Sequence, residues 1–577
     1  MKRKHVRLHH RPLLGAMLMA AVLSGCGESD DLQDGQPSTG AGKQYVSLTF
    51  TMPTEEEGSR AGNPTGGEDG DGHEMGQDNE NNISTAVAFF FQNDRAGVNG
   101  DANTPVRCTY FDDFQEYTEG NGNGIDRVYK TKPIPTDLYG EYNVLVVANP
   151  GTDNWWTETT TLGAVRDKVL SQAWTTESNG KYTNFLMSSA KDTVIVISEA
   201  NNTVSTAANT TVDVERMAAR VDYKTLNSYT CKDPNYKNAT MEIKGAVLVN
   251  NLTQPGSYAM KRVAATTDGT LNYLGDETLG TGGLPDNWVL DPTTNNKADN
   301  ATFGVNWQDG NASDPNWWSG KATTGTAITK NNEQWNILGY TLENITAPNE
   351  TKHDYNTAVV FKAKFTPAEG SVAHYQAGNT FFAYGSTIYA SMEDMMTDFN
   401  RQTTAEMDAA INNCVGWEDV TAFARTLHDG DPCGYKAWLQ EQIDESKSLD
   451  DVKASLTWTS YMRGEFGYIA TLGADDIYTV SIEQDNKKTA ELLAEYGART
   501  YEDATCYYTW WIRHANDGDD KTNGVMEYAI VRNNIYELDV RAIHSLGGYI
   551  PNEEEHGFIV TVYVKDWTLL ETEHIEM

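Results

Sequence analysis

Basic residues are scarce in this chain. Lys and Arg number 44 against 82 Asp and Glu in 577 residues, a formal net charge of −38. Phosphate binding needs clustered Lys and Arg, so the composition argues against nucleic acid as a partner. Cysteine is also sparse, six in all. With Cys26 set aside, Cys108, Cys231, Cys414, Cys433 and Cys506 remain, an odd number without a CxxC pair, so neither a disulfide framework nor a zinc site is indicated. Cys414 and Cys433 are close enough in sequence to pair locally, with buried free thiols as the alternative. HExxH, GxSxG and phosphate-loop motifs are missing. The second half holds His353, His374, His428, His514, His544, His556 and His574, but among so many acids a His–carboxylate pair is expected by chance. The expectation is a protein that is not an enzyme, with no cofactor and no metal. A segment apolar and long enough to cross a bilayer is lacking too.

What the N-terminal region does hold is an export layout. Lys2, Arg3, Lys4, Arg7 and Arg11 precede the apolar run Leu13–Leu23, which is shorter than the roughly 20 residues of a membrane span. It closes on Leu23-Ser24-Gly25-Cys26, a lipobox in which Cys26 becomes the lipid attachment point; an ordinary secretory signal with a chance cysteine is the plainer alternative. Residues 1–25 are therefore read as a signal peptide.

After a polar tether comes one alternating segment, Tyr45–Met52, whose Val46, Leu48, Phe50 and Met52 share a face. The polar, Gly-rich stretch that follows, through Asn82, has nothing to bury and should be mobile, which makes Arg60 easy to nick unless it is merely a solvated loop residue. Its run Glu68-Asp69-Gly70-Asp71-Gly72 hints at calcium but lacks the closing glutamate of an EF-hand loop, so a solvated linker is the better reading. Cutting between Arg60 and Ala61 removes both the anchor and the strand. A protein that discards a core strand must fill the groove, and another copy of itself is the simplest occupant.

Farther along, strand patterns recur at Ala86–Phe91, Tyr142–Ala148, Thr193–Ser198, Thr211–Arg216 and Ala219–Tyr223, with a helix over Leu162–Gln172. The second block shows strands at Met241–Asn250, Ala358–Phe365, Thr387–Ser391, Tyr478–Ile482, Tyr507–Ile512, Ile535–Ile543 and Phe558–Val564. Short helices fit Thr404–Asn412, Lys436–Ser446 and Thr489–Tyr496. The chain exceeds one comfortable core, so two domains are expected. Strands without a βαβ rhythm indicate a mainly β fold of two antiparallel β-sandwiches.

Several segments in register resemble the Bacteroidales fimbrillins, most closely the stalk subunits of short (minor) fimbriae. They are Ala529-Ile530-Val531-Arg532-Asn533-Asn534-Ile535-Tyr536 with Ser545-Leu546-Gly547, and Asn356–Pro367. Val214–Val221, Tyr340–Asn344 and Val562–Trp567 match more weakly, and Gly58-Ser59-Arg60-Ala61-Gly62 stands where that family is cut by an arginine-specific protease. The resemblance spans nearly the whole chain except 264–331 and 392–484. It implies transthyretin-like sandwich domains at 61–235 and 236–577, after a lipidated propeptide 26–60. It also implies donor-strand exchange, in which a neighbour's C-terminal strand replaces Val46, Leu48, Phe50 and Met52. The donor residues are Trp567, Leu569, Leu570, Ile575 and Met577; Glu571 and Glu573 interrupt their apolar face. The implied setting is a cell-surface fimbria for adhesion and colonisation, built from an outer-membrane lipoprotein precursor. Partners would be copies of this chain, anchor and tip subunits, the protease, and a host or bacterial surface ligand.

Two alternatives stand beside the stalk subunit: a tip subunit, or a monomeric glycan-binding lipoprotein. For the latter, Trp155-Trp156 and Trp317-Trp318 in polar loops offer rings to sugar faces, while Trp510-Trp511 in a strand should put one ring in the core and one outward.

Overall fold

Strand predominates over helix, 39% against 21%. The computed structural model describes residues 43–51, 73–92, 103–120, 125–151, 154–178, 182–265, 271–273, 287–310, 317–330, 332–346, 353–483, 486–514, 524, 526–553 and 558–568.

The first sheet is ten-stranded and built wholly from residues before Met217. Eight strands follow one path, Arg107–Phe111, Ala86–Phe91, Gly140–Ala148, Met187–Ser189, Ala208–Arg216, Gln44–Thr51, Ile125–Thr131 and Phe114–Gly120; Thr193–Ile197 pairs with Gly140–Ala148 and Ile134–Thr136 with Gln44–Thr51 beside it. Alternation puts Ala88 and Phe90 in one cluster with Val46, Leu48, Phe50, Val144 and Val214. Val87, Phe89 and Phe91 face a second cluster with Leu162, Val165 and Met217. Ala86–Phe91 is thus buried on both faces, as its unbroken apolar run requires.

After Arg216 the chain enters a different sheet. Six strands run in the order His73–Met75, Phe558–Thr568, Asn534–Ile543, Ala218–Lys224, Glu333–Leu342 and Thr326–Lys330. A four-stranded sheet centred on Thr240–Val249 and Ala358–Thr366 shares its core, where Val221, Met241, Phe361, Tyr508 and Leu538 meet. This is a sandwich, two sheets closed on one apolar layer. Most ladders are antiparallel; among the described residues three pairings are parallel, Gln44–Thr51 with Ala208–Arg216, Ala218–Lys224 with Asn534–Ile543, and His73–Met75 with Phe558–Thr568.

Expected strands at Ala86–Phe91 and Tyr478–Ile482 and the helix Thr404–Asn412 occur at those bounds. The helix expected over Leu162–Gln172 stops at Arg166, because Val169–Leu170 are taken up in a ladder with Ser257–Tyr258. A larger departure is a helical block within 392–466. Met392–Asn400, Trp417–Thr426 and Trp458–Phe466 join the expected helices around Met395, Met407, Phe423, Tyr435 and Trp458. The signal was present: Met392, Met395 and Met396 recur at helical spacing behind the N-cap Ser391, whose side chain accepts from the Asp394 N–H.

Cys414 and Cys433 are buried free thiols, as are Cys231 and Cys506, while Cys108 is half-buried. Trp317 and Trp318 are not loop rings on offer. They are 1% and 7% exposed, packed with Val247, Val249 and Val360. Trp155 and Trp156 are half-buried against Phe89. Trp510 and Trp511 face opposite cores and both are half-buried, so neither projects freely.

Candidate functional site: the first strand and its groove

Gln44–Thr51 lies inside its sheet, with neighbours on both edges. Along one edge it runs parallel to Ala208–Arg216, Val46 opposite Ala208, Leu48 opposite Thr210 and Phe50 opposite Val212. Along the other it is antiparallel to Ile125–Thr131 through Thr49 and Phe50, and to Ile134–Thr136 through Gln44, Tyr45 and Val46. Between those two short ladders the Leu48 N–H donates to Thr131 Oγ1 at 2.9 Å, so the donor is met by a side chain where no strand reaches it.

The two faces divide the labour. Val46, Leu48 and Phe50 are fully buried, and Phe50 meets the Phe114 ring at 5.6 Å. Ser47 Oγ donates to Asn209 Oδ1 at 3.0 Å and Thr51 Oγ1 to Asp213 Oδ1 at 2.7 Å. Burying three such apolar side chains contributes roughly 1.5–3 kcal/mol each. Withdrawal of the strand therefore uncovers an apolar slot and two rows of backbone groups.

Downstream of the linker the chain is pinned. Residues Asp78–Asn81 form one helical turn, with Glu80 and Asn81 buried. The expectation that the polar stretch through Asn82 has nothing to bury is corrected at Glu80 and Asn81, where charged and polar partners rather than apolar area accompany burial. Glu80 accepts from Arg220 at 2.8 Å and from the Tyr340 hydroxyl. Arg220 also forks onto Asp222 at 3.1 and 2.9 Å, and Lys330 bridges Asp222, at 2.6 Å, to Glu537. Arg216 donates to the Glu80 carbonyl at 3.0 Å and to Asn81 and Asn533. Burial draws the Arg216 guanidinium down to about 9 despite Glu80. Burial works to raise the Asp222 carboxyl, but Arg220 and Lys330 outweigh it and hold it below its ordinary value. Arg532, fully buried, reaches Glu343 at 2.7 Å and the Tyr258 carbonyl at 2.7 Å.

This network was missed in the sequence, although Arg216, Arg220, Glu343 and Arg532 sit inside the segments that carry the resemblance. Those four residues meet where the first sheet joins the second. Among the described residues no cluster of His, Cys, Asp and Glu is arranged to hold a metal.

The C-terminal strand Phe558–Thr568 pairs antiparallel with Asn534–Ile543, and its last three residues pair with His73–Met75, Trp567 lying opposite Glu74. Of the expected site residues, Val46, Leu48 and Phe50 are brought together and Trp567 is placed in this strand. Cys26, Met52, Arg60, Ala61, Leu569, Leu570, Ile575 and Met577 lie outside the described residues, as does the acidic run 68–72.

Gln44–Thr51 is thus held between neighbours on both edges, and Phe558–Thr568 lies between Asn534–Ile543 and His73–Met75. Residues 499–573 match the family described as major fimbrial subunit protein type IV, fimbrillin, C-terminal. The match covers that C-terminal segment and is in keeping with the resemblance there. None of the curated proteins matches it. Among solved structures, a fimbrilin (FimA) from Porphyromonas gingivalis is 14% identical, with 92% of this chain and 99% of that chain covered and a TM-score of 0.35. The tip fimbrial protein Mfa3 of Porphyromonas gingivalis, with a C-terminal truncation, is 10% identical over 91% of this chain and 100% of that one, TM-score 0.28. The fimbrial anchor protein Mfa2 of the same organism is 14% identical over 57% and 83%, TM-score 0.19.

Proposed function

We propose that this chain is a stalk-type structural subunit of a cell-surface fimbria, with no catalytic role. It is exported with signal peptide 1–25, lipidated at Cys26 and cut between Arg60 and Ala61. The cut releases Val46, Leu48, Phe50 and Met52 from the domain at 61–235. The tail of the domain at 236–577 in a neighbouring copy, Trp567, Leu569, Leu570, Ile575 and Met577, then fills the slot. The observation that carries this reading is the internal position of Gln44–Thr51, laddered on both edges with three fully buried side chains. An apolar slot with unpaired edges demands a replacement strand. A head-to-tail contact that does not close on itself grows into a filament.

Controlled trypsin treatment of purified residues 27–577, followed by size-exclusion chromatography and N-terminal sequencing, tests it. A new N-terminus at Ala61 with SDS-resistant oligomers is expected, and deletion of the last ten residues should abolish them. Clean cutting that leaves only monomer sinks the stalk reading in favour of a tip subunit or a glycan-binding lipoprotein.

A further inference from the structure

Two adjoining clefts, of about 480 and 510 Å³, open beside the helical block and the hairpin Tyr468–Leu472/Tyr478–Ile482. His374 and Tyr478 line both and form the wall between them. His374 has φ of +59°, a left-handed conformation that a residue with a Cβ adopts only under local constraint. The constraint is visible: Nδ1 lies 3.1 Å from Asp394 Oδ1 and Nε2 3.5 Å from Asp476 Oδ2, and the ring meets Tyr478 edge-on at 5.5 Å.

In the first cleft Glu393 accepts from the Tyr468 hydroxyl at 2.8 Å, and burial raises its carboxyl above the ordinary value. The exposed Arg463 guanidinium also lines that cleft, with no side-chain hydrogen bond or ion pair among the described residues. Thr404 Oγ1, buried at its rim, has no partner either. The first cleft thus brings the Arg463 guanidinium into one lining with the Glu393 and Asp394 carboxylates, which keep acceptor capacity beyond their bonds to Tyr468 and His374.

The mixture of signs decides the ligand class. A cation would meet Arg463, and an anion would meet Glu393 and Asp394, each at an electrostatic cost. A neutral ring with vicinal hydroxyls suits both: carboxylates accept, the guanidinium donates, and an aromatic face covers the C–H side. We propose that this cleft binds a neutral sugar residue, with Asp394 and Arg463 holding its hydroxyls and Tyr478 against one face. The site is independent of strand exchange, so a stalk carrying it would bind glycan along its whole length.

Saturation-transfer NMR and calorimetry on the uncut chain test it, with methyl glycosides of glucose, galactose, mannose, fucose and N-acetylglucosamine. Lysine methyl ester and acetate serve as charged counterparts. Saturable binding of at least one neutral glycoside is expected, weakened about tenfold or more by Arg463→Ala, an exposed position whose loss leaves the fold intact. Asp394→Asn should weaken the same glycoside. Binding of a charged probe alone, binding of none, or glycoside binding indifferent to both variants overturns the proposal.

Discussion

The Glu80 carboxylate and the Arg220 guanidinium lie 2.8 Å apart, and neither side chain is exposed. The pair fastens the segment just beyond the linker to the junction between the two sheet systems. Removing one partner from a buried pair leaves the other charged and unsolvated, which typically costs 3–5 kcal/mol. Glu80→Ala and Arg220→Ala should each lower the unfolding free energy by about that amount, read from the shift in urea midpoint. Loss near zero in both variants would show that the pair is dispensable.

The first strand gives a conditional result. Phe50→Ala empties a fully buried site and should destabilise the uncut chain by about 3–5 kcal/mol. Once the chain is cut after Arg60 and assembled, the same substitution should have no effect on the thermal unfolding of the oligomer, because the residue has left. Equal losses before and after assembly would contradict strand replacement.

Acid sensitivity follows from Asp222. Its folded carboxyl is held below the ordinary value by Arg220 and Lys330. The stability it contributes is complete above the ordinary carboxylate range, and it is lost as pH falls through the depressed value. Urea midpoints should therefore decline as the buffer drops below about pH 4. Asp222→Asn should start lower at neutral pH and show a shallower acid slope; an unchanged slope would remove Asp222 from the account.

Thiol chemistry offers a check on packing. Cys108 is half-buried, and burial raises its thiol to about 11. Iodoacetamide should label it first among the described cysteines, with a rate still rising above about pH 9. Denaturation without reductant should then expose Cys231, Cys414, Cys433 and Cys506 as reactive thiols. A disulfide between Cys414 and Cys433 on mass mapping would contradict the structure.

How far the sequence could be read depended on whether the determinant was local. The alternation of Val46, Leu48 and Phe50 pointed to a half-buried strand, and the structure places all three in the core. Period-two patterns likewise located other strands, among them Thr193–Ile197 and Tyr478–Ile482. Glu80 was illegible because its burial depends on Arg220 and Tyr340, charge and hydroxyl partners supplied from far along the chain. The tryptophans at 317 and 318 looked like loop residues because their flanks are polar, yet valines from distant strands cover them. Met392–Asn400 differs, because its determinants are local: Met392, Met395 and Met396 at helical spacing behind the Ser391 cap.

The parallel alignment of Gln44–Thr51 with Ala208–Arg216 carries a last consequence. A newcomer that inherits the existing ladders must travel in the same direction as the strand it succeeds. Each joint in a fibre would then repeat one orientation, giving the filament an arrow: one end always offering an empty slot, the other always a free tail. Growth and termination at those two ends would be chemically distinct events, open to different capping partners.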